Sequence, residues 1–117
     1  MDRLLIQGLR AHTTLGLQES ERAYPQEVWI DLVLFMDIRA AARADDVSLS
    51  VDYAEVAQAV RALVEGVQRY TVEALAEDIA ALCLQRPGVQ KVTVRVRKPH
   101  AVRGAAAVGV EIERPAP

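Results

Sequence analysis

The stretch Lys91–Arg114, KVTVRVRKPHAVRGAAAVGVEIER, constrains the fold more than any other. Val92, Val94 and Val96 alternate with Thr93, Arg95 and Arg97, and Val108, Val110 and Ile112 alternate with Gly109, Glu111 and Glu113. A period of two in β-branched residues marks half-buried strands. Each strand then has one apolar and one charged face, with arginine on the first and glutamate on the second. Antiparallel neighbours would set these charges opposite one another, a modestly stabilising arrangement. Pro99 supplies no N–H and holds Lys98 extended, so the first strand stops there. Lys98 therefore sits at a strand end, on a rigid support, facing a loop. Functional side chains are often carried at such places, and so are ordinary surface lysines.

Three more segments carry a clear period. Leu4–Leu15 is rich in strand formers and predicts a strand bulged at Gly8. Glu27–Ile38 is the strongest strand: Val28, Ile30, Leu32, Leu34, Met36 and Ile38 share one apolar face. Its other face, Trp29, Asp31, Val33, Phe35 and Asp37, is mixed, so the strand asks for cover on both sides. Between these two strands Gly16–Gln26, GLQESERAYPQ, predicts a polar connection. Asp45–Ser50 predicts a loop. Asp52 with Glu55 three residues on predicts a helix start resembling a capping box. That helix runs from Tyr53 to about Val67, with Val56, Ala59, Val60, Leu63 and Val67 as its buried stripe. Thr71 is the candidate N-cap of a second helix, with a stripe of Val72, Leu75, Ala76, Ile79, Leu82 and Cys83, stopped by Pro87-Gly88.

The order strand, strand, helix, helix, strand, strand predicts an α+β fold. Its sheet is four-stranded and mostly antiparallel, with both helices on one face. The face without helices would carry Arg95, Arg97, Glu111 and Glu113 beside Trp29, Val33 and Phe35. A small domain gains little from such a face alone. Several sheets closed into a ring around a polar lumen would partly bury it, which predicts a homo-oligomer.

The 117 residues suit one domain, 1–117, and a hydrophobic content of 51% is enough for a core. A formal net charge of −2 argues against a nucleic-acid partner. Cys83 is the single cysteine, which permits no intrachain disulfide and predicts a small core residue. No apolar run reaches the roughly 18 residues of a membrane span, and no leader pattern opens the chain, so a cytoplasmic protein is expected. His12, His100 and Cys83 share no metal-ligand spacing. Neither a dinucleotide fingerprint nor a phosphate loop occurs. No metal or cofactor is expected.

What remains is a set of ionisable residues at element ends. Glu21 lies in the first connection, Tyr53 and Glu73 in the first turns of the two helices, and Lys98 at a strand end. Singly, each has an ordinary explanation: a glutamate in a helix's first turn complements the macrodipole, a tyrosine there packs, and a loop glutamate is solvated.

Together they sit in segments that resemble dihydroneopterin aldolase. The segments are G-x-x-x-x-E-R (Gly16–Arg22), D-D-V-S-x-S-V-D-Y-A-E-V (Asp45–Val56), V-E-A-L-A-E-x-I-A (Val72–Ala80), V-R-K-P-H-A (Val96–Ala101) and V-G-V-E-I-E-R (Val108–Arg114). The resemblance spans Leu4 to Arg114. It implies the tunnelling fold, with subunits in a tetrameric barrel, two such rings stacked into an octamer, and active sites between subunits. It implies a catalytic set of Lys98, Glu21 and Tyr53, the tyrosine coming from the adjacent subunit. It implies that Glu73 anchors a pterin substrate, with main-chain groups near Val51 and Val72 adding contacts. Thr71 departs from an apolar residue common at this point, and either shapes the pterin pocket or caps its helix. The loop after Lys98 lacks the second proline of some members.

The implied reaction splits 7,8-dihydroneopterin into 6-hydroxymethyl-7,8-dihydropterin and glycolaldehyde. The substrate's own C=N bond takes up the electron pair of the broken bond, so neither a metal nor a Schiff base is called for. The protein must move protons at about neutral pH, and Arg95, Arg97 or partial burial could adjust Lys98 for this task. Two other functions compete. One is the sister epimerase acting on dihydroneopterin triphosphate, or an aldolase that also epimerises; a triphosphate would want a basic cluster near the pocket, and Arg22, Arg43 and Arg103 are scattered in sequence. The other is a non-catalytic α+β assembly module, which leaves the coincidence of Glu21, Tyr53, Glu73 and Lys98 unexplained.

Overall fold

The computed structural model describes every residue from Met1 to Pro117. In chain order its elements are β1 (Asp2–Thr13), α1 (Glu19–Arg22), β2 (Gln26–Met36) and α2 (Arg39–Ala44), followed by a 3-10 turn (Val47–Leu49). Then come α3 (Tyr53–Gly66), α4 (Val72–Leu84), β3 (Lys91–Pro99) and β4 (Ala107–Pro115). The strands form one sheet in the order β1-β2-β3-β4, and each neighbouring pair is antiparallel. Helix α3 packs on β1, and α4 on β3 and β4, all from the same side.

The alternation seen in the sequence sets which side is covered. Val28, Ile30, Leu32 and Leu34 of β2 and Val92, Val94 and Val96 of β3 are fully buried beneath the helices. Burying each such side chain is worth about 1.5–3 kcal/mol. On β1 the inward parity changes midway: Leu4 and Ile6 face the helices, then Leu9, Ala11 and Thr13. A bulge at Gln7-Gly8 causes the change, two residues there opposing Asp31 alone. Gly8 has φ +68, and its N–H donates to Asp31 Oδ1 at 2.8 Å. Without the bulge, one half of β1 would turn its apolar residues away from the core.

Both long helices start where their caps place them. The Asp52 carboxylate accepts from Ala54 N at 3.0 Å, and Thr71 Oγ1 accepts from Ala74 N at 3.2 Å. The stripe on α3 is Val56, Val60 and Val64, with Ala59, Leu63 and Val67 only half-buried at its margin. On α4 it is Leu75, Ala76, Ile79, Ala80 and Cys83, with Val72 and Leu82 half-buried. Burial pushes the Cys83 thiol up to about 11, so it stays a neutral core group.

Two short helices depart from the sequence reading. The segment Arg39–Ala44, RAAARA, forms α2 because alanine favours helix. It buries nothing, so no apolar stripe announced it. Asp45 closes it in the left-handed region at φ 50. The connection after Gly16 contains the single turn α1, too short to show a period.

On the face away from the helices, Arg95 Nε meets Glu111 Oε1 at 2.8 Å, as cross-strand alternation predicts. Arg97 cannot follow suit, because its partner on β4 is Gly109. It reaches back to β2 instead, to Asp31 at 2.8 Å, and lies over the Trp29 ring. Trp29 Nε1 and Arg97 Nε have no hydrogen-bond partner within the chain. Strands β1 and β4 are the sheet's edges. No helix is long and apolar enough to cross a membrane.

Candidate active site

Lys98 continues the row Val92, Val94, Val96, so its parity points it to the helix side. It comes one step beyond the last covering valine. Its stem is sheltered, at 15% exposure, while its ammonium meets the first connection. There Glu21 Oε1 lies 3.3 Å from Lys98 Nζ, and Glu21 Oε2 accepts from Gln18 N at 3.0 Å. The Gln18 N–H and then the Lys98 hydrogen bond hold the Glu21 carboxyl below the usual carboxylate range. Glu21 is therefore an anion at neutral pH, suited to hold a cation in place. Arg95 and Arg97 are engaged with Glu111 and Asp31 on the other side of the sheet. The charged group in contact with Lys98 is Glu21, and not the arginines that neighbour it in sequence.

Glu21 can take this position because residue 16 is glycine. Gly16 has φ +128, a conformation open to glycine. A Cβ added there would lie 2.6 Å from Glu21 Cβ and 2.7 Å from its Cδ. The Glu21 side chain fills the space a side chain at 16 would need. Gly16 N also donates to Tyr70 O at 3.2 Å, and Thr14 bridges to Gln68, so the connection is laced to the segment leading into α4.

That lacing brings the start of α4 beside Lys98. Glu21, Thr71, Val72, Glu73 and Lys98 line one cleft of about 350 Å³, together with Gly16, Leu17, Gln18 and Tyr70. Glu73 is exposed in the first turn of α4 and lines the cleft. Thr71 both caps α4 and lines the cleft. The wall residues Leu17, Gln18 and Tyr70 had no chemical signal in the sequence. Gly16 had one, the fixed spacing to Glu21 in G-x-x-x-x-E.

Tyr53 and Val51 stand apart from this cleft. Tyr53 is the first residue of α3 and is 62% exposed; Val51 is buried under that helix start. The other end of α3 is the one near the cleft, where Thr13 Oγ1 donates to Val67 O at 3.5 Å. From residue 53 to 67 an α-helix climbs about 20 Å. Within one chain, Tyr53 and Lys98 lie at opposite ends of the helix layer.

A second hollow, about 440 Å³, lies on the sheet's uncovered face. Its charged lining, Asp31, Arg95, Arg97 and Glu111, is already mutually paired. No three His, Cys, Asp or Glu side chains converge to hold a metal ion.

Residues 4–113 match the model of the family described as dihydroneopterin aldolase (FolB). A dihydroneopterin aldolase from Streptomyces coelicolor is 45% identical over 101 residues, covering 86% of this chain and 85% of its own. The structure of Escherichia coli dihydroneopterin aldolase in complex with neopterin superimposes with a TM-score of 0.93 at 39% identity, covering 97% of this chain and 99% of that one. A dihydroneopterin triphosphate 2'-epimerase from Pseudomonas aeruginosa is 29% identical over 112 residues, covering 96% of this chain and 91% of its own.

Proposed function

The chain belongs to the dihydroneopterin aldolase family and is a lyase of folate synthesis, and on that premise we propose how its residues cleave 7,8-dihydroneopterin. One observation carries the proposal: Glu21, Glu73 and Lys98, far apart in sequence, line the same cleft.

Glu73 anchors the substrate. Its carboxylate accepts two hydrogen bonds, from the pterin's amino group and the adjacent ring N–H, a charge-assisted pair that fixes the ring's orientation. Thr71 engages only the N–H of Ala74, so first-turn N–H groups near Val72 remain to meet the pterin's polar edge. The trihydroxypropyl side chain then lies toward Lys98. The neutral amine form of Lys98 takes the proton of the second hydroxyl, directly or through a water, and becomes the ammonium that Glu21 holds. The bond between the first and second side-chain carbons breaks, and glycolaldehyde leaves with the second and third. The electron pair passes into the ring's C=N bond. A proton returned to the first carbon yields 6-hydroxymethyl-7,8-dihydropterin. The ring supplies the electron sink, so the step needs neither a metal nor a lysine adduct.

Tyr53 serves this site from a neighbouring copy. Its distance from Lys98 within one chain supports that assignment, and the same contact would bring main-chain groups near Val51 to the pterin. We place the subunits in a tetrameric ring, stacked in pairs as an octamer. The two unpaired sheet edges support such a ring. The folate-synthesis role supports a cytoplasmic setting.

The epimerase alternative would need free cations for a triphosphate. Arg22 is spent on the carbonyls of Gly16 and Leu17, and neither Arg43 nor Arg103 lines the cleft.

Incubation with 7,8-dihydroneopterin in EDTA tests the function. Stoichiometric glycolaldehyde is expected; its absence from the assembled protein would refute the reading. Glu73→Gln separates anchoring from chemistry. The amide still accepts but loses the charge, so pterin binding should weaken by on the order of 1.5–3 kcal/mol. Unchanged affinity in a titration would leave Glu73 only a helix-end charge.

A further inference from the structure

We propose that Arg22 is a positioning residue for the retro-aldol reaction, acting only through Glu21. The inference rests on the reading of Glu21 and Lys98 given above and adds a residue to it. Arg22 follows Glu21 in sequence, and its side chain turns back over the connection. Its Nη1 donates to Gly16 O and to Leu17 O, each at 3.0 Å. Its guanidinium lies over the Tyr70 ring, 4.8 Å from the centroid. Gly16 N in turn donates to Tyr70 O at 3.2 Å. Arg22 therefore closes a small circuit: backbone of 16 and 17, ring of 70, backbone of 16.

Glu21 lies inside that circuit. Its Cβ and Cδ occupy the space beside Gly16 that any other residue's Cβ would claim. Gln26 fastens the outer end, its Nε2 donating to Leu15 O at 3.1 Å and Glu21 O at 2.6 Å. The carboxylate is thus left one arrangement, with one oxygen on Gln18 N and the other toward Lys98. A planar, permanently charged guanidinium bridges the two carbonyls through one nitrogen and lays its plane on the ring; a lysine ammonium could bridge them but has no plane to stack. Released from the clasp, the connection could move Glu21 by an ångström or more, and Lys98 would lose its orienting anion. Misplacement of that size costs on the order of 10²-fold in rate. Pterin affinity should not change, because Glu73 belongs to α4.

A double-mutant cycle on the assembled enzyme tests this, with kcat and pterin Kd as separate readouts. Arg22→Ala should lower kcat by roughly 10- to 100-fold and leave Kd unchanged. In a Glu21→Gln background the same substitution should have no further effect. Arg22→Lys should recover part of the loss, and it carries the same cycle should Arg22→Ala fail to assemble. Full activity in Glu21→Gln would overturn the reading of Glu21, and the proposal with it. An impaired Glu21→Gln with an undiminished further loss on adding Arg22→Ala would overturn the proposal alone. So would an Arg22→Ala enzyme of normal kcat, or one whose loss lies in Kd.

Discussion

Lys98→Ala is expected to fold, assemble and bind pterin like the parent, and to lose turnover by on the order of 10²–10⁴-fold, the range for removing a general acid–base group. The separation of these effects follows from where Lys98 stands. It ends the inward row of β3, one step past Val96, so truncating it opens no hole among the fully buried valines. Removing one partner of a buried ion pair usually destabilises because it strands a charge. Glu21 is not stranded: its side chain keeps 33% exposure and its bond to Gln18 N. Glu73, on another element, still holds the pterin. The check is single-turnover kinetics beside a pterin titration. A variant that turns over within a factor of a few of the parent would take Lys98 out of the chemistry. A variant that loses pterin affinity equally would make it a binding group.

Gly109→Ala should be strongly destabilising, although Gly109 touches no substrate. A Cβ at this position would lie 2.7 Å from Arg97 Cα and 2.8 Å from the Val96 carbonyl carbon, closer still to the Val96 carbonyl oxygen. All three are backbone atoms of β3, so no side chain can swing aside. The strands must part or the ladder must shift. Overpacking costs typically about 1–3 kcal/mol, and a backbone clash belongs at or above the top of that range. The damage falls beside the site, since the next pair along is Lys98↔Val108. Thermal unfolding should show a markedly lower midpoint and kinetics a lower kcat. A midpoint equal to the parent's would show that β4 can yield here at no cost.

The same residue shows what the sequence could and could not disclose. Alternation in 91–97 and 108–113 was enough to foresee two strands, with the arginines of one facing the glutamates of the other, because strand parity is local. It did not say which arginine meets which glutamate: the register pairs Arg95 with Glu111 and leaves Arg97 opposite Gly109, and register is fixed by tertiary pairing. The caps at Asp52 and Thr71 were legible for the same local reason, and Gly8 announced its bulge. Helix α2 was not, since its alanines bury nothing. At the site, Lys98, Glu21 and Glu73 were recognisable as chemical groups. Glu21 meets Lys98 beside a glycine five residues earlier whose place its side chain fills, and such a glycine has neither a period nor a charge pattern. The inward turn of Lys98 was available from counting on by two from Val96. The distance between Tyr53 and Lys98 was not, because it depends on which end of α3 meets β1.

That distance makes the central claim testable. If Lys98 of one chain works with Tyr53 of another, each site is assembled from two subunits. Lys98→Ala and Tyr53→Phe should each be nearly inactive alone. Dissociated together and reassembled, they would form some interfaces that pair an intact Lys98 with an intact Tyr53. Glycolaldehyde release should then return to a sizeable fraction of the parent's. Mixed rings that form and stay inactive would contradict the shared site.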